Sequence, residues 1–233
     1  LLLDRWERAK GGEGQGVLLS AEPGIGKSRI TRALRERIGA EPHVSLHYQC
    51  SPFHSNSAFY PITEQFERAA KFVGDDTPQQ KIVKMETLLG RAQANIAEAA
   101  PFYAAMLSLP TNNYPALQLS PQQQKERTLG AQVDQVMALA THQPVIMVLE
   151  DAHWADPSTL EVFGALLERI ESARVLLVIT YRPEFTAPWL GQSRVTVLRL
   201  ARLSKKETAK LAERFGTLSS LSGLDLSVDV ERS

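Results

Sequence analysis

Short continuous apolar runs alternate along this chain with stretches whose apolar residues recur every three or four positions. The runs are Gly16–Ser20, Val44–Cys50, Val145–Leu149, Val175–Thr180 and Val195–Leu200, each of strand length. Val145–Leu149 and Val175–Thr180 are apolar almost throughout rather than at alternate positions, the pattern of central strands covered on both faces. Between the runs lie helical patterns. Lys27–Ile38 carries Ile30, Leu34 and Ile38 on one face, and Gly39 follows in the usual C-terminal role. Ser120-Pro121 is an N-cap followed by proline at the first helical position, and Leu129, Val133, Val136 and Ala140 give the helix after it one apolar face. Asp156-Pro157 opens a helix with Leu160, Phe163, Leu167 and Ile170 in line, and residues 1–10 form a short helix.

Pro61–Phe72, Gln79–Leu89 and Arg91–Leu107, punctuated by Gly74, Pro78, Gly90 and Pro110, predict a helical insert over about residues 58–109. Ser204–Phe215 predicts a helix with Ser204 and Glu207 as a capping box. The Gln122-Gln123-Gln124 run is too short to carry compositional meaning. Strands alternating with helices imply parallel βαβ units and a doubly wound α/β sheet. The expected organisation is one domain over 1–215 and an irregular tail over 216–233.

Composition narrows the function. With 233 residues, 43% hydrophobic and 22% charged, the chain can build a sizeable core. Lys+Arg and Asp+Glu both number 26, so there is no positive excess of the kind a nucleic-acid binder carries. The single cysteine, Cys50, excludes an internal disulfide and fits a reducing cytoplasm. No apolar run approaches the roughly 18 residues of a membrane span. No initiator Met is present, and the chain is expected to be a piece of a longer protein.

The sharpest chemical signal is AEPGIGKS over 21–28. The phosphate-loop pattern is Gly, four residues, then Gly-Lys-Ser/Thr; Gly26, Lys27 and Ser28 match and Ala21 stands at the first glycine. Backbone N–H groups of Gly24, Ile25, Gly26 and Lys27 can converge on phosphate oxygens, and the helix that follows adds its positive end. Pro23 and Arg29 flank this cofactor-binding stretch. Lys27 would reach the β- and γ-phosphates and Ser28 would ligate Mg²⁺.

VIMVLED, 145–151, is a strand ending in two acids, which a Mg²⁺ site beside a phosphate loop needs. By register Glu150 takes the metal and Asp151 polarises the attacking water; the inverted assignment is the alternative. The strand ending in Thr180 and Arg182 places Arg182 either as a γ-phosphate sensor or as a solvated strand cap.

In this order the motifs resemble the AAA-like, STAND-type signalling ATPase domain, and most closely the ATPase domain found behind class III adenylate/guanylate cyclase domains in bacterial multidomain proteins. The segments VLLSAEPGIGKSR, HYQCSPFHSNSAFYPITEQFERAAKF, SPQQQKERTL, PVIMVLEDAHWADPSTLE and LLVITYRPEF carry the resemblance over most of residues 1–215. It implies a three-layer P-loop NTPase with strand order 5-1-4-3-2, Mg²⁺ and ATP rather than GTP as ligands, and a nucleotide-controlled switch. It also implies an upstream cyclase, downstream helical or repeat domains of the same polypeptide, and nucleotide-dependent oligomerisation. By position, Gly24, Gly26, Lys27 and Ser28 bind phosphate and Mg²⁺, Glu150 and Asp151 form the acidic pair, and Arg182 is sensor-like. The family's helical lid has no recognisable counterpart after Phe215, which predicts slow turnover.

Other groups have blander readings. His47, Cys50 and His54 offer three ligands where structural zinc takes four. His153-Trp154 either lines the hydrolysis site or packs a turn. Trp6 and Arg8 either flank the adenine or belong to a helix packed on the domain edge, and the Phe59, Ile62, Phe66 stripe is core. Three functions remain: an ATP-hydrolysing regulatory domain, a module that holds ATP or ADP without significant turnover (or the ATPase module of a LuxR-like regulator), and a phosphotransferase or nucleic-acid motor. No acceptor pocket or basic groove supports the last.

Overall fold

The computed structural model describes residues 1–92, 96–116, 118–192 and 194–201. The helix expected over Ser204–Phe215, its capping box and the tail lie outside these residues. All five expected strands form: β1 (Gln15–Ser20), β2 (Val44–Gln49), β3 (Val145–Glu150), β4 (Val175–Tyr181) and β5 (Val195–Arg199). They pair in parallel in the order β2-β3-β4-β1-β5, the order 5-1-4-3-2 read from the other edge. The three central strands are buried at every position. The two edge strands are only partly buried.

Alternation along β3 sorts the core into two layers. Ile146 and Val148 face α1 (Leu2–Lys10) and α2 (Lys27–Ile38), where Trp6, Leu34 and Ile38 pack. Val145, Met147 and Leu149 face α6 (Pro121–His142) and α7 (Pro157–Arg169), which bring Val133, Val136, Phe163 and Leu166. The insert, α3 (Tyr60–Ala69), α4 (Pro78–Leu89) and α5 (Ile96–Met106), has its own core around Phe66, Met85, Leu89 and Tyr103.

Local chemistry explains the boundaries. Thr77 caps α4 and Ser120 caps α6, each in a capping box completed by Gln80 and Gln123. The short glutamine run thus has a structural use at its middle residue. Gly39 does follow α2, but in a right-handed conformation (φ −62°) rather than the left-handed one usual for a terminating glycine. The buried positions of α2 are Lys27, Thr31, Leu34 and Ile38, with Ile30 only half-buried. That rotation brings a threonine against the sheet, which matters for the site.

Candidate functional site

At the carboxyl ends of the strands, β1 turns through residues 21–26 into α2. Gly24 and Gly26 adopt φ +77° and +105°, and a Cβ at either would meet nothing within 4 Å. The constraint there is the backbone conformation, which L-residues resist, and the space beside it is open for a ligand. Ala21, at the position of the first loop glycine, is buried and has no positive φ. Its backbone N–H donates to the Tyr181 carbonyl at 3.3 Å. A methyl group is therefore accommodated at this position. Lys27 is buried at the start of α2, and its Nζ donates to the carbonyls of Ala21 at 2.5 Å and Glu22 at 3.2 Å. The ammonium thus lies across the mouth of the loop.

Glu150 ends β3 at 5% exposure. Burial alone would raise its pKa, but hydrogen bonds from His47, Ser28 and Thr31 outweigh it and hold the carboxyl down at about 2. His47 Nε2 donates to Oε1 at 3.1 Å and Thr31 Oγ1 at 3.0 Å. Glu150 is therefore an ionised carboxylate at neutral pH, tied to the phosphate-loop helix through Ser28 and Thr31 and to β2 through His47. Asp151 follows in a left-handed conformation (φ 56°). Its N–H donates to Thr180 Oγ1 at 3.1 Å, and its Oδ2 accepts from Gln49 Nε2 at 3.1 Å. The two acids, adjacent in sequence, are thus turned apart: Glu150 lies under α2 and Asp151 is held at the sheet's upper edge.

Arg182, just past β4, places its guanidinium 5.9 Å from the centroid of the Trp154 ring and 3.9 Å from Glu184 Oε1. His153 sits among Asp151, Arg182, Glu184 and Lys27; burial first, then the two cations, lowers its pKa against the pull of the carboxylates. Both of its ring nitrogens are buried without a partner. The site thus gathers Lys27, Ser28, Glu150, Asp151 and Arg182 at one end of the sheet, while Pro23, Ile25 and the exposed Arg29 belong to the loop and first turn around them.

Two groups were not identifiable from motifs alone. His47 and Gln49 come from β2, and period-two alternation would put both on the Glu150 face once β2 is paired with β3 in register Gln49↔Glu150. Thr31 lies one turn after Lys27. The remaining sequence candidates separate. His54 stacks on Tyr60 at 3.6 Å, His47 is engaged by Glu150, and burial pushes the Cys50 thiol up to about 12. Trp6 is core, and Arg8 pairs with Glu13 on the surface.

The two most distinctive sequence segments meet through Asp156. This buried carboxylate caps α7 by accepting from Thr159 N at 3.0 Å and also accepts from Phe59 N at 3.1 Å. Phe59, at φ 59°, starts α3. CSPFHSNSAFYPI and LEDAHWADPSTLE are therefore two halves of one structural joint.

The AAA ATPase domain family matches residues 1–179, from α1 into β4. The chain belongs to that family. An uncharacterized protein of Rhizobium meliloti (strain 1021), R02095, is 28% identical over 204 residues, which are 87% of this chain and 20% of that protein. A STAND protein with a tetratricopeptide repeat sensor from Pyrococcus horikoshii, PH0952, aligns over 94% of this chain and 27% of its own at 14% identity and a TM-score of 0.40. The chain thus spans about a fifth of the curated relative's length and about a quarter of the solved structure's. No helix among its described residues is long and apolar enough to cross a membrane.

Proposed function

We propose that this AAA ATPase domain binds and hydrolyses Mg·ATP as the switch of a larger STAND-type signalling protein in the cytoplasm, one that carries a nucleotide cyclase domain. The observation that carries the nucleotide reading is the buried Glu150 carboxylate, hydrogen-bonded by Ser28 and Thr31 of the helix that opens at the phosphate loop. The sequence resemblance supports the signalling context.

The residues fit the group. Gly24 and Gly26 hold the loop in the left-handed conformations that let backbone N–H groups turn toward a phosphate, with open space beside them. Ser28 hydroxyl and Glu150 carboxylate are hard oxygen donors, the kind Mg²⁺ takes together with phosphate and water. When bound, Mg²⁺ neutralises charge on the phosphates. Lys27, whose Nζ donates to the Ala21 and Glu22 carbonyls, would hold β- and γ-phosphate oxygens instead when a nucleotide is bound. Asp151, whose carboxylate accepts from Gln49 and whose N–H donates to Thr180, would hold the attacking water and accept its proton. Arg182 faces the charge that develops there. A hollow of about 490 Å³ beside the loop, lined by Tyr181, Phe185, Glu22 and Leu200 among others, would receive the base.

The test is ATP binding and single-turnover hydrolysis. Lys27→Ala should lose nucleotide affinity. Asp151→Asn should keep it and slow hydrolysis roughly 10²–10⁴-fold. Glu150→Gln should raise the Mg²⁺ concentration required. Equal affinity of wild type and Lys27→Ala would overturn the reading; intact binding with hydrolysis unchanged in Asp151→Asn would leave Asp151 a structural turn.

A further inference from the structure

The Glu150 carboxylate is held through one particular oxygen. Oε1 accepts from His47 Nε2 at 3.1 Å and from Thr31 Oγ1 at 3.0 Å. An ionised carboxylate has about two acceptor positions on each oxygen and nothing to donate, so the His47 proton sits on Nε2 and the two donors together fill Oε1. The Thr31 hydroxyl also lies 3.0 Å from the Ser28 carbonyl, and its single proton goes to the charged acceptor, the stronger of the two. Both donors are themselves fixed. Thr31 is fully buried on α2. His47 stands on the edge strand β2, and its carbonyl accepts from Arg68 of α3 at 2.8 Å, with Arg68 in turn paired to Glu64 at 2.7 Å. Ser28, the other oxygen donor assigned to Mg²⁺, also bonds the carboxylate, so the two metal donors lie side by side.

We infer that His47 and Thr31 are positioning residues for the metal: by filling Oε1 they lock the Glu150 carboxylate with Oε2 left to serve Mg²⁺. The inference rests on the nucleotide reading and adds to it two residues that lie outside the phosphate-loop and acidic motifs. Each acts through Glu150. A glutamate side chain has three torsions, and without these bonds it could turn either oxygen, or neither, toward Ser28. Hydrogen-bond partners of a ligating carboxylate are worth roughly 10–100-fold in metal affinity, because the ligand then stands in place before the ion arrives. A pair that served the fold alone would add stability and leave the hold on Mg²⁺ unchanged.

The test titrates the full chain with a fluorescent, non-hydrolysable ATP analogue, once in EDTA and once in saturating Mg²⁺. The factor by which Mg²⁺ tightens binding reads the hold on the metal with no turnover involved. His47→Phe keeps a ring but no donor, and should lower that factor roughly tenfold while leaving the affinity in EDTA unchanged. Thr31→Val, equal in shape, should do the same. His47→Gln, whose amide N–H can replace Nε2–H, should restore most of the factor. If His47→Phe does not fold, Thr31→Val and His47→Gln decide. Where the wild type shows Mg²⁺-dependent binding, the proposal alone is overturned by an unchanged factor in a folded His47→Phe or Thr31→Val, by a loss of affinity that is equal in EDTA, or by a His47→Gln that falls as far as the donor-free variants. A wild type that binds no analogue, or binds it equally with and without Mg²⁺, overturns the nucleotide reading and the proposal with it.

Discussion

Replacing Glu150 by glutamine should destabilise the domain at neutral pH, and the effect should fade in acid. The carboxylate is 5% exposed and accepts from His47, Ser28 and Thr31. Glutamine keeps one acceptor oxygen but turns an NH₂ group toward hydroxyl and imidazole donors, so at least one charge-assisted bond is lost. A carboxyl held at about 2 instead of its ordinary 4.5 contributes ~3 kcal/mol of folding stability at about 1.4 kcal/mol per tenfold. Because the folded pKa is depressed, that contribution is complete above the unfolded value and disappears as pH falls through the folded one. Urea denaturation of wild type and Glu150→Gln should therefore differ by about 2–3 kcal/mol near pH 7. Near pH 3 the gap should shrink by roughly 2 kcal/mol, since the unfolded chain is by then protonated at this position and the folded one only begins to be. Comparing the two proteins at each pH cancels the other carboxylates. A gap of the same size at both pH values, or none at pH 7, would refute the claim that Glu150 is a buried, ionised acceptor of three bonds.

Two glycines should respond in opposite directions. Gly130, inside α6, has nothing within 4 Å of an added Cβ, so Gly130→Ala should raise stability by about 0.5–1 kcal/mol, read from the denaturation midpoint. Gly14→Ala would put its Cβ 1.8 Å from the Ile170 carbonyl oxygen, backbone that cannot move aside cheaply, and should lower the thermal midpoint sharply or prevent folding. Asp156→Ala removes the cap of α7 and the acceptor for Phe59 N together, and should cost more than the ~1 kcal/mol typical of a lone N-cap. Hydrogen exchange should then rise at the starts of both α3 and α7; a rise at α7 alone would mean that the joint contributes nothing to α3.

Much of this protein was settled by its local sequence. Buried parallel strands declare themselves by unbroken apolar runs, because both faces of a central strand must leave water. The phosphate loop declares itself because its chemistry resides in consecutive backbone groups, and Gly24 and Gly26 stand where the chain must adopt positive φ. Helix starts at Ser120 and Asp156 were legible for the same reason, since a cap acts on N–H groups two or three residues away. The order of the strands came from family resemblance rather than from periodicity, which says nothing about neighbours. Tertiary structure alone decided what surrounds the acidic pair. His47 and Thr31 reach Glu150 across 103 and 119 residues of chain, and Asp156 reaches Phe59 across 97. Such partners depend on strand register and on the rotation of α2 that turns Thr31, rather than Ile30, toward the sheet. A histidine that spacing made a poor zinc ligand became a donor to the buried carboxylate because parallel pairing set β2 beside β3, a relation that no window of neighbouring residues contains.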